Sequence, residues 1–251
     1  MPPLRLLSYN IKYGGTGRVD AIASVIRDAA PDVVMLQEAT DPTVVQRLAA
    51  ATGLLHSGSR AGHSTGFLSR EPVAGHAWYH PRGARHAFLE VVLSDDVGRV
   101  YGLHLNAWFS KWSERRRVHE IRALLHSIRE HQHGFHVIAG DFNALAPGAP
   151  LNVEKLPRWI QAMVWMSGRD IARDTIGVML EAKYVDAYRR LHPDDAGYTF
   201  PTWDPHTRFD YLFTPERYAA RLVRCDVMLD ARDAKAASDH FPLLIELDLS
   251  L

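Results

Sequence analysis

Residues 86–105, HAFLEVVLSDDVGRVYGLHL, decide the fold class of this chain. Two runs rich in valine, leucine and aromatic residues flank the tetrapeptide DDVG, and this pattern predicts two antiparallel strands joined by a tight turn. A hairpin argues against a doubly wound sheet, because the strands of such a sheet are parallel and are joined by helices. We therefore expect antiparallel pairing in at least part of the structure.

The sequence on either side of this hairpin alternates strand and helix patterns. Residues 4–11 and 31–38 predict strands that each precede a helix, and residues 113–130 predict an amphipathic helix. Hairpins together with this alternation favour an α/β fold, a four-layer sandwich of two stacked, mostly antiparallel or mixed β-sheets flanked by helices. No repeat or linker divides the chain, so we expect one domain over residues 1–251 with a helical insertion at about residues 151–183.

The composition indicates a globular protein and excludes several classes. The chain has 251 residues, of which 47% are hydrophobic and 23% charged, so it is neither disordered nor fibrous. Its single cysteine, Cys225, excludes a disulfide framework and a cysteine-based zinc finger. Lys plus Arg equals Asp plus Glu at 29 each, which argues weakly against a protein that coats long stretches of DNA.

The sequence also bears on location. No apolar run reaches the roughly 18 residues that a membrane-spanning helix needs. The strand pattern that starts at Leu4 leaves no room before it for a secretory signal. We therefore expect the protein in the cytoplasm.

Polar side chains gather where the predicted strands begin or end, which is where a rigid scaffold displays catalytic groups. These residues are Asn10, Glu38, Asp141, Asn143, Asp210, Asp239 and His240. Carboxylate and amide oxygens are hard ligands that favour Mg²⁺ or Mn²⁺ over Zn²⁺. Each residue alone is typical of a cap or a turn, but together they predict a site for at least one divalent cation.

Six short motifs follow one another between Ser8 and Pro242, in the order SYNI, LQE, HLN, GDFN, RFDYLF and SDHFP. In this order they resemble the endonuclease/exonuclease/phosphatase superfamily, which includes pancreatic-type deoxyribonucleases, AP endonucleases and sphingomyelinases. GDFN and SDHFP are specific motifs, whereas SYN and QE carry weight only through their order. The resemblance implies a hydrolase of phosphoester bonds that depends on Mg²⁺ or Mn²⁺.

The resemblance also implies roles for residues at the matching positions. Glu38 would be the principal metal ligand, with Asn10 and Asp239 completing the oxygen cage. His240 would contact the scissile phosphate, and Asp210 would orient its imidazole. A carboxylate behind an imidazole fixes the tautomer and stabilises the charged form, so this pair suits proton transfer at neutral pH.

The remaining catalytic roles fall on the middle of the chain. Asp141 and Asn143 would hold the nucleophilic water and a phosphate oxygen. His104 matches the histidine of the deoxyribonuclease and sphingomyelinase branches, and strand order makes Glu90 its expected carboxylate partner. Two carboxylate–imidazole pairs would then face the phosphate, one on each side.

Loop aromatics and a basic segment bear on the substrate. Trp108, Phe109 and Trp112 follow HLN, where they either cap the core, stack on nucleic-acid bases or anchor in lipid. Residues 111–129 hold six Lys and Arg against two Glu, which is typical of a solvated helix face but also suits a phosphate-backbone track. Arg208, the first residue of RFDYLF, either binds a substrate phosphate or caps its strand.

We predict a nuclease that cleaves phosphodiester bonds in DNA or RNA. The alternative is a phosphatase or phosphodiesterase acting on a lipid or small-molecule phosphoester, which the zero net charge slightly favours. A binding module with an inactive site is disfavoured, because every polar position that catalysis needs is present.

Overall fold

The computed structural model describes residues 3–82, 84–94, 97–108, 110–131, 133–156, 158–166 and 171–250. Its strands are β1 Leu4–Asn10, β2 Val33–Gln37, β3 His56–Gly58, β4 Thr65–Ser69, β5 Gly75–Tyr79, β6 Phe88–Ser94, β7 Gly98–His104, β8 His136–Asp141, β9 Tyr184–Asp186, β10 Asp210–Pro215, β11 Leu222–Val227 and β12 Leu243–Leu247. Its helices are α1 Val19–Ala29, α2 Pro42–Thr52, α3 Lys111–Ser127, α4 Arg158–Met166, α5 Asp174–Glu181, α6 Ala187–Leu191 and α7 Ala234–Ala237.

The strands form two six-stranded sheets. The first has the order β11-β12-β1-β2-β4-β3 and the second the order β5-β6-β7-β8-β10-β9. Most neighbours are antiparallel, but β1 pairs with β2 and β7 pairs with β8 in parallel. The expected sandwich of two mixed sheets is confirmed. The hairpin between β6 and β7 forms as predicted, and Asp95 and Asp96 of its turn lie outside the described residues.

Apolar side chains fill the space between the sheets and cover both outer faces. Leu6 of β1 and Met35 of β2 pack against Leu89 and Val137 of the second sheet. Leu7, one residue along β1, points to the opposite face and packs with α1 and α2. On the far side, α3 and α5 cover the second sheet. Both faces of the central strands are buried, which explains why their sequences are apolar without strict alternation.

Local signals in the sequence start two of these helices. The Asp41 carboxylate accepts the backbone N–H of Thr43 at 2.9 Å, and Pro42 is the first helical residue of α2. The Ser110 hydroxyl accepts the N–H of Ser113 at 3.1 Å and caps α3. None of the described helices is long and apolar enough to cross a membrane.

The segment between β8 and β9 contains α4 and α5. That this segment, at about residues 151–183, is an insertion stays a prediction. Leu156, Ile160, Val164 and Ile171 form a small apolar cluster of their own in this segment. Helix α5 packs against α3, so the segment is attached to the outer layer of the second sheet. A single domain over the whole chain stays a prediction.

One edge of the sandwich collects the polar strand ends. Because β1 and β2 are parallel, their carboxyl ends meet, and Asn10 is opposite Gln37. The parallel pair β7 and β8 likewise brings His104 opposite Asp141. The antiparallel strand β10 starts at this edge, where Asp210 is also opposite Asp141. The topology therefore brings together motifs that are up to 230 residues apart in the sequence.

Candidate active site

The carboxylate of Asp141 lies at the centre of the site. Its Oδ1 accepts the backbone N–H of Asn143 at 2.9 Å, and its Oδ2 accepts the side-chain amide of Asn10 at 3.0 Å. The same Oδ2 is 3.7 Å from His104 Nε2 and 3.8 Å from His240 Nε2. Both of these distances are longer than a hydrogen bond, so each Nε2 can still bond a water molecule or a phosphate oxygen that lies beside the carboxylate.

His240 and Asp210 form the pair that the motifs imply. The Nδ1 of His240 is 2.8 Å from Asp210 Oδ2, and both side chains are buried. Burial alone lowers the pKa of His240, but the charges of Asp210 and Asp141 outweigh it and raise the pKa to about 10. The imidazole is therefore positively charged at neutral pH. Phe200 packs against its ring with the centroids 4.9 Å apart.

The pKa of Asp141 is also raised, which for a carboxyl group favours the neutral form. Burial and the neighbouring Asp210 charge raise the pKa of its carboxyl, whereas the positive charge of His240 opposes that shift. A carboxylate whose pKa is raised is a stronger base, because it binds a proton at higher pH than an exposed Asp does. A carboxylate with a raised pKa is able to accept a proton from a water molecule at neutral pH.

His104 has a different hydrogen-bond partner from Glu90, the one that the sequence predicted. Its Nδ1 is 2.5 Å from the hydroxyl of Ser64, and the ring of His86 stacks on it with centroids 5.2 Å apart. Burial, with the positive charges of His86, His240 and Arg85, lowers the pKa of His104 to about 3. This imidazole is neutral at neutral pH.

The predicted pairing of Glu90 with His104 is wrong. The Glu90 carboxylate accepts the hydroxyls of Tyr79 and Tyr101, both at 3.0 Å, and lies 3.3 Å from Arg99 Nε. In the register of the hairpin Glu90 is opposite Tyr101, three residues before His104, and so lies away from the edge of the sheet. Ser64 was missed because it precedes β4. The antiparallel register of β4 with β2, Thr65 opposite Gln37, brings it to this edge.

The expected metal ligands lie in the same place. Glu38 Oε2 accepts the backbone N–H of Tyr13 at 2.5 Å, and Glu38 Oε1 accepts the Asn10 amide at 3.3 Å. The Asn10 Oδ1 atom accepts the backbone N–H of Lys12 at 2.9 Å, so this side chain bridges its neighbours. The Lys12 ammonium is 3.0 Å from Asp239 Oδ2. A cation therefore already contacts one of the predicted ligands.

The donors of this site fit a hard divalent cation. Glu38 and Asp239 offer carboxylate oxygens to such a cation, and Asn10 offers a side-chain amide. None of the three residues has a thiol. Lys155 is paired with Asp204, and among the other described residues here the carboxylates of Glu38, Asp141, Asp210 and Asp239 outnumber the Lys12 ammonium and the His240 imidazolium. The Oδ1 of Asp210 is buried and has no hydrogen-bond partner among the described residues. Asp141, Asp210 and His240 also offer ligand atoms within 4.8 Å of one another.

Two residues of the site have backbone angles that favour glycine. The φ angle of Glu38 is 57° and that of Asn143 is 48°. For a residue such as Glu this costs about 1–3 kcal/mol, whereas Asn tolerates the region better. Hydrogen bonds hold both turns, because the Glu38 carbonyl accepts Gly14 and Thr40 amides and the Asn143 side chain donates to Leu105 O at 3.0 Å.

A cavity of about 470 Å³ opens beside these groups. Its polar wall contains Glu38, His104, Asp141, Asn143, Asp239 and His240. Its apolar wall contains Leu156 and Ile160 of the insertion with Phe200, Pro201, Trp203 and Phe209. An ion pair of 2.6 Å between Lys155 and Asp204 joins the insertion to the loop that follows Phe200. The sequence did not indicate Lys155, because nothing in its local pattern marks it as part of a site.

Arg208 does not face this cavity. Its guanidinium binds the Asp186 carboxylate through two nitrogens, at 3.0 and 2.5 Å, and lies 4.4 Å from the centre of the Tyr211 ring. Only 3% of the residue is exposed. A buried bidentate ion pair is a structural element, so the expectation that Arg208 binds a substrate phosphate is wrong.

The predicted aromatic loop lies next to the site but outside the cavity. Trp108 is 53% and Trp112 65% exposed, and Arg116 lies 5.4 Å from the Trp112 ring centre. Ala107, the residue before Trp108, lines the cavity. Phe109 lies outside the described residues. The two tryptophans therefore do not cap the core, and their role in substrate binding stays a prediction.

Comparisons with known proteins agree with this architecture. The model of the Endonuclease/Exonuclease/phosphatase family matches residues 7–240. The chain is similar to the structure of an AP endonuclease from Archaeoglobus fulgidus, with 18% identity, a TM-score of 0.74 and coverage of 98% of this chain and 99% of that one. No curated protein sequence matches the chain significantly.

Two further solved structures share the fold. The 3' phosphatase NExo from Neisseria, bound to a product DNA hairpin, is 20% identical with a TM-score of 0.72, over 98% of this chain and 99% of that one. A humanized D. rerio TDP2 is 20% identical with a TM-score of 0.66 and the same coverage. At this level of identity the likeness shows the fold.

Proposed function

Because this chain belongs to the Endonuclease/Exonuclease/phosphatase family of phosphoester hydrolases, we propose that it cleaves phosphodiester bonds in DNA or RNA with the help of Mg²⁺ or Mn²⁺. The observation that carries the proposal is that two imidazole Nε2 atoms approach the same atom, Asp141 Oδ2, at 3.7 and 3.8 Å. A nucleophilic water beside this carboxylate and a phosphate oxygen beside the imidazoles would both lie within hydrogen-bond reach of these side chains. A cytoplasmic location stays a prediction.

Nucleic acid is the substrate class that we favour. Among the structural neighbours, one is an AP endonuclease and one a 3' phosphatase bound to a DNA hairpin. The exposed tryptophans beside the cavity, Trp108 and Trp112, suit stacking on bases. A lipid or small phosphoester is the second candidate, and the apolar wall formed by Leu156, Ile160 and Trp203 favours it.

Two groups of the chain would act directly on the reacting atoms. Asp141 would take the proton of a water held against Oδ2, and its raised pKa makes it a suitable base. His240, charged and held by Asp210, would donate a hydrogen bond from Nε2 to a phosphate oxygen, where negative charge accumulates in the transition state. Asn143, on the cavity wall, would position the phosphate.

His104 and the expected metal ligands complete the mechanism. Neutral His104 would orient the phosphate or the water through Nε2, since Ser64 engages its other nitrogen. A divalent cation supplies charge neutralisation of the phosphate and lowers the pKa of bound water. Glu38 and Asp239 would hold it, with Asn10 fixing Glu38, and Lys12 would move from Asp239 to a substrate phosphate oxygen. Asp141, Asp210 and His240 would serve proton transfer, because the hydrogen bond between Asp210 Oδ2 and His240 Nδ1 joins the last two as an acid–base pair.

Hydrolysis assays test this proposal. Single- and double-stranded DNA, RNA and a chromogenic phosphodiester are incubated with Mg²⁺ or Mn²⁺, each with and without EDTA. We expect metal-dependent cleavage of a nucleic acid, and a loss of about two or more orders of magnitude in Glu38→Gln that high Mn²⁺ partly restores. Wild-type rates in Glu38→Gln at low Mg²⁺, or full activity in EDTA, would overturn the proposal.

A further inference from the structure

The exposed face of α3 presents cations without carboxylates. Lys111, Arg115 and Arg122 are exposed and, with His119 and His126, recur every three or four residues along one stripe of the helix. We call this stripe the basic face of α3. The helix has 17 residues and is therefore about 25 Å long.

Both acidic residues of α3 are turned inward. Glu114 binds the buried Arg117 at 2.6 Å and accepts the backbone N–H of Thr175 at 2.7 Å. Glu120 accepts the backbone N–H of Arg85 at 2.7 Å. Neither carboxylate contacts the exposed cations of the basic face, so this face carries local positive charge although the whole chain has no net charge.

The basic face starts at the active-site cavity. Arg117 donates to the backbone carbonyls of Asn106 and Trp108, both at 2.7 Å, and so ties the loop after β7 to the first turns of α3. Between those two residues, Ala107 lines the cavity. Trp112 is exposed on the first turn of the helix. The basic face therefore begins within a few residues of the cavity wall, with Trp112 beside its first cation in the sequence.

The basic face also borders a groove between α3 and the segment that leads into α5. Arg115, Arg122 and Arg173 line this groove, which has a volume of about 780 Å³. Asp174 and Glu181 also line it, so arginines outnumber carboxylates. A groove with excess guanidinium groups favours phosphate, which the planar guanidinium fork binds through two oxygens.

We propose that the basic face of α3 binds the sugar–phosphate backbone of the nucleic-acid strand that extends from the active site. This inference rests on the proposed function and specifies its substrate as a polynucleotide rather than a small diester. One strand of a duplex carries a charge about every 3.4 Å, and Lys111 and Arg122 are about 16 Å apart along the helix, so these cations match several consecutive phosphates. A small phosphoester bound in the cavity would not extend to Arg115 or Arg122.

Charge-neutralising variants test the proposal. The triple variant Lys111→Gln, Arg115→Gln and Arg122→Gln is compared with a control that loses three exposed arginines elsewhere, Arg47→Gln, Arg190→Gln and Arg232→Gln. Binding of a fluorescent 20-nucleotide strand and of the duplex is measured by anisotropy in EDTA over a range of salt concentrations. Both variants lose the same net charge, so a difference between them reports location.

We expect the α3 variant to bind about 10- to 100-fold more weakly at low salt, and the control within about threefold of wild type. The slope of log affinity against log salt should decrease by about two to three in the α3 variant, since each lost phosphate contact removes about 0.7–0.9. Should the triple variant unfold, Arg122→Gln alone should still lower the slope by about one. Equal affinities and slopes in the α3 variant and the control would overturn the proposal.

Two further measurements separate this proposal from the proposed function. If wild type cleaves neither a chromogenic diester nor any oligonucleotide, the proposed function fails. If wild type is an active nuclease and the α3 variant binds and cuts an oligonucleotide as wild type does, only the docking surface fails. Binding to phosphatidylserine vesicles that depends on these three residues, without oligonucleotide binding, would also overturn the docking proposal.

Discussion

Two histidines approach the same carboxylate oxygen at the centre of the site, and the groups behind them differ. On one side, Asp210 binds the Nδ1 of His240 at 2.8 Å. On the other, the Ser64 hydroxyl lies 2.5 Å from the Nδ1 of His104, and His86 stacks on that ring. A carboxylate stabilises an imidazolium, whereas a hydroxyl beside a second imidazole and buried surroundings do not. One histidine is therefore a cation at neutral pH and the other is neutral.

The difference teaches that the partner, and not the histidine itself, assigns the chemical role. Charged His240 can stabilise the negative charge that builds up on a phosphate. Neutral His104 can accept or donate a single hydrogen bond from Nε2, depending on the tautomer that Ser64 selects. The sequence motifs do not distinguish the charge of His240 from that of His104, because each of these residues lies at the end or just before the start of a strand at the same edge.

The largest expected effect is on the carboxylate-supported side. We expect His240→Ala and Asp210→Asn each to lower kcat by about three to four orders of magnitude, since a positioned acid–base group contributes about 10²–10⁴ and the charge is lost as well. The double variant should be no more than severalfold worse than either single one, because the two side chains act as a unit. Multiplicative losses in the cycle would show that they act independently.

The pH dependence of kcat/KM sharpens the comparison. Asp141 must be deprotonated to act as a base, so activity should rise with pH through its raised pKa. His240 must be protonated, so activity should fall as pH rises through its pKa of about 10. In Asp210→Asn burial prevails, the pKa of His240 falls, and the alkaline limb should move by more than one unit toward neutrality. A profile with an unmoved alkaline limb would assign that limb to another group.

A smaller effect is expected on the hydroxyl-supported side. Ser64→Ala should lower kcat about tenfold by freeing the His104 ring, with little change in the melting temperature, and His104→Ala should lower it about 100-fold. Ser64→Ala in the His104→Ala background should then have no further effect. Ser64→Thr keeps the hydroxyl, so its kcat should be higher than that of Ser64→Ala. A full tenfold loss in the absence of His104 would mean that Ser64 acts elsewhere.

The smallest effect on catalysis is expected at Glu90. Its carboxylate binds two tyrosine hydroxyls and Arg99 inside the second sheet. Glu90→Gln should keep kcat within about twofold of wild type but lower the stability by about 1–3 kcal/mol, because the buried Tyr101 hydroxyl loses a charged acceptor. Thermal unfolding and diester hydrolysis measure the two quantities. A catalytic loss like that of His104→Ala would restore the pairing that the structure contradicts.

The sequence predicted the elements that form the catalytic edge more fully than it predicted the contacts there. The strands at or next to Asn10, Glu38, Asp141 and Asp210 were predicted because polar residues lie at one end of each apolar run. Short elements such as β3, β9 and α7 were missed, because three or four residues carry no periodic signal. Glu90 was predicted as the partner of His104 because the order of the strands does not show how far along its strand a residue lies.

The sequence by itself determined the family, the two-sheet architecture and the residue types of the site, because apolar patterns and short motifs are local in the chain. The tertiary structure alone decided which groups meet. It put Ser64 behind His104, paired Arg208 with Asp186 away from the cavity, and turned Glu114 and Glu120 inward to leave one face of α3 cationic. The physical reason is that hydrogen bonds and ion pairs act over a few ångströms, so they depend on strand register and helix rotation, which only the packed core sets.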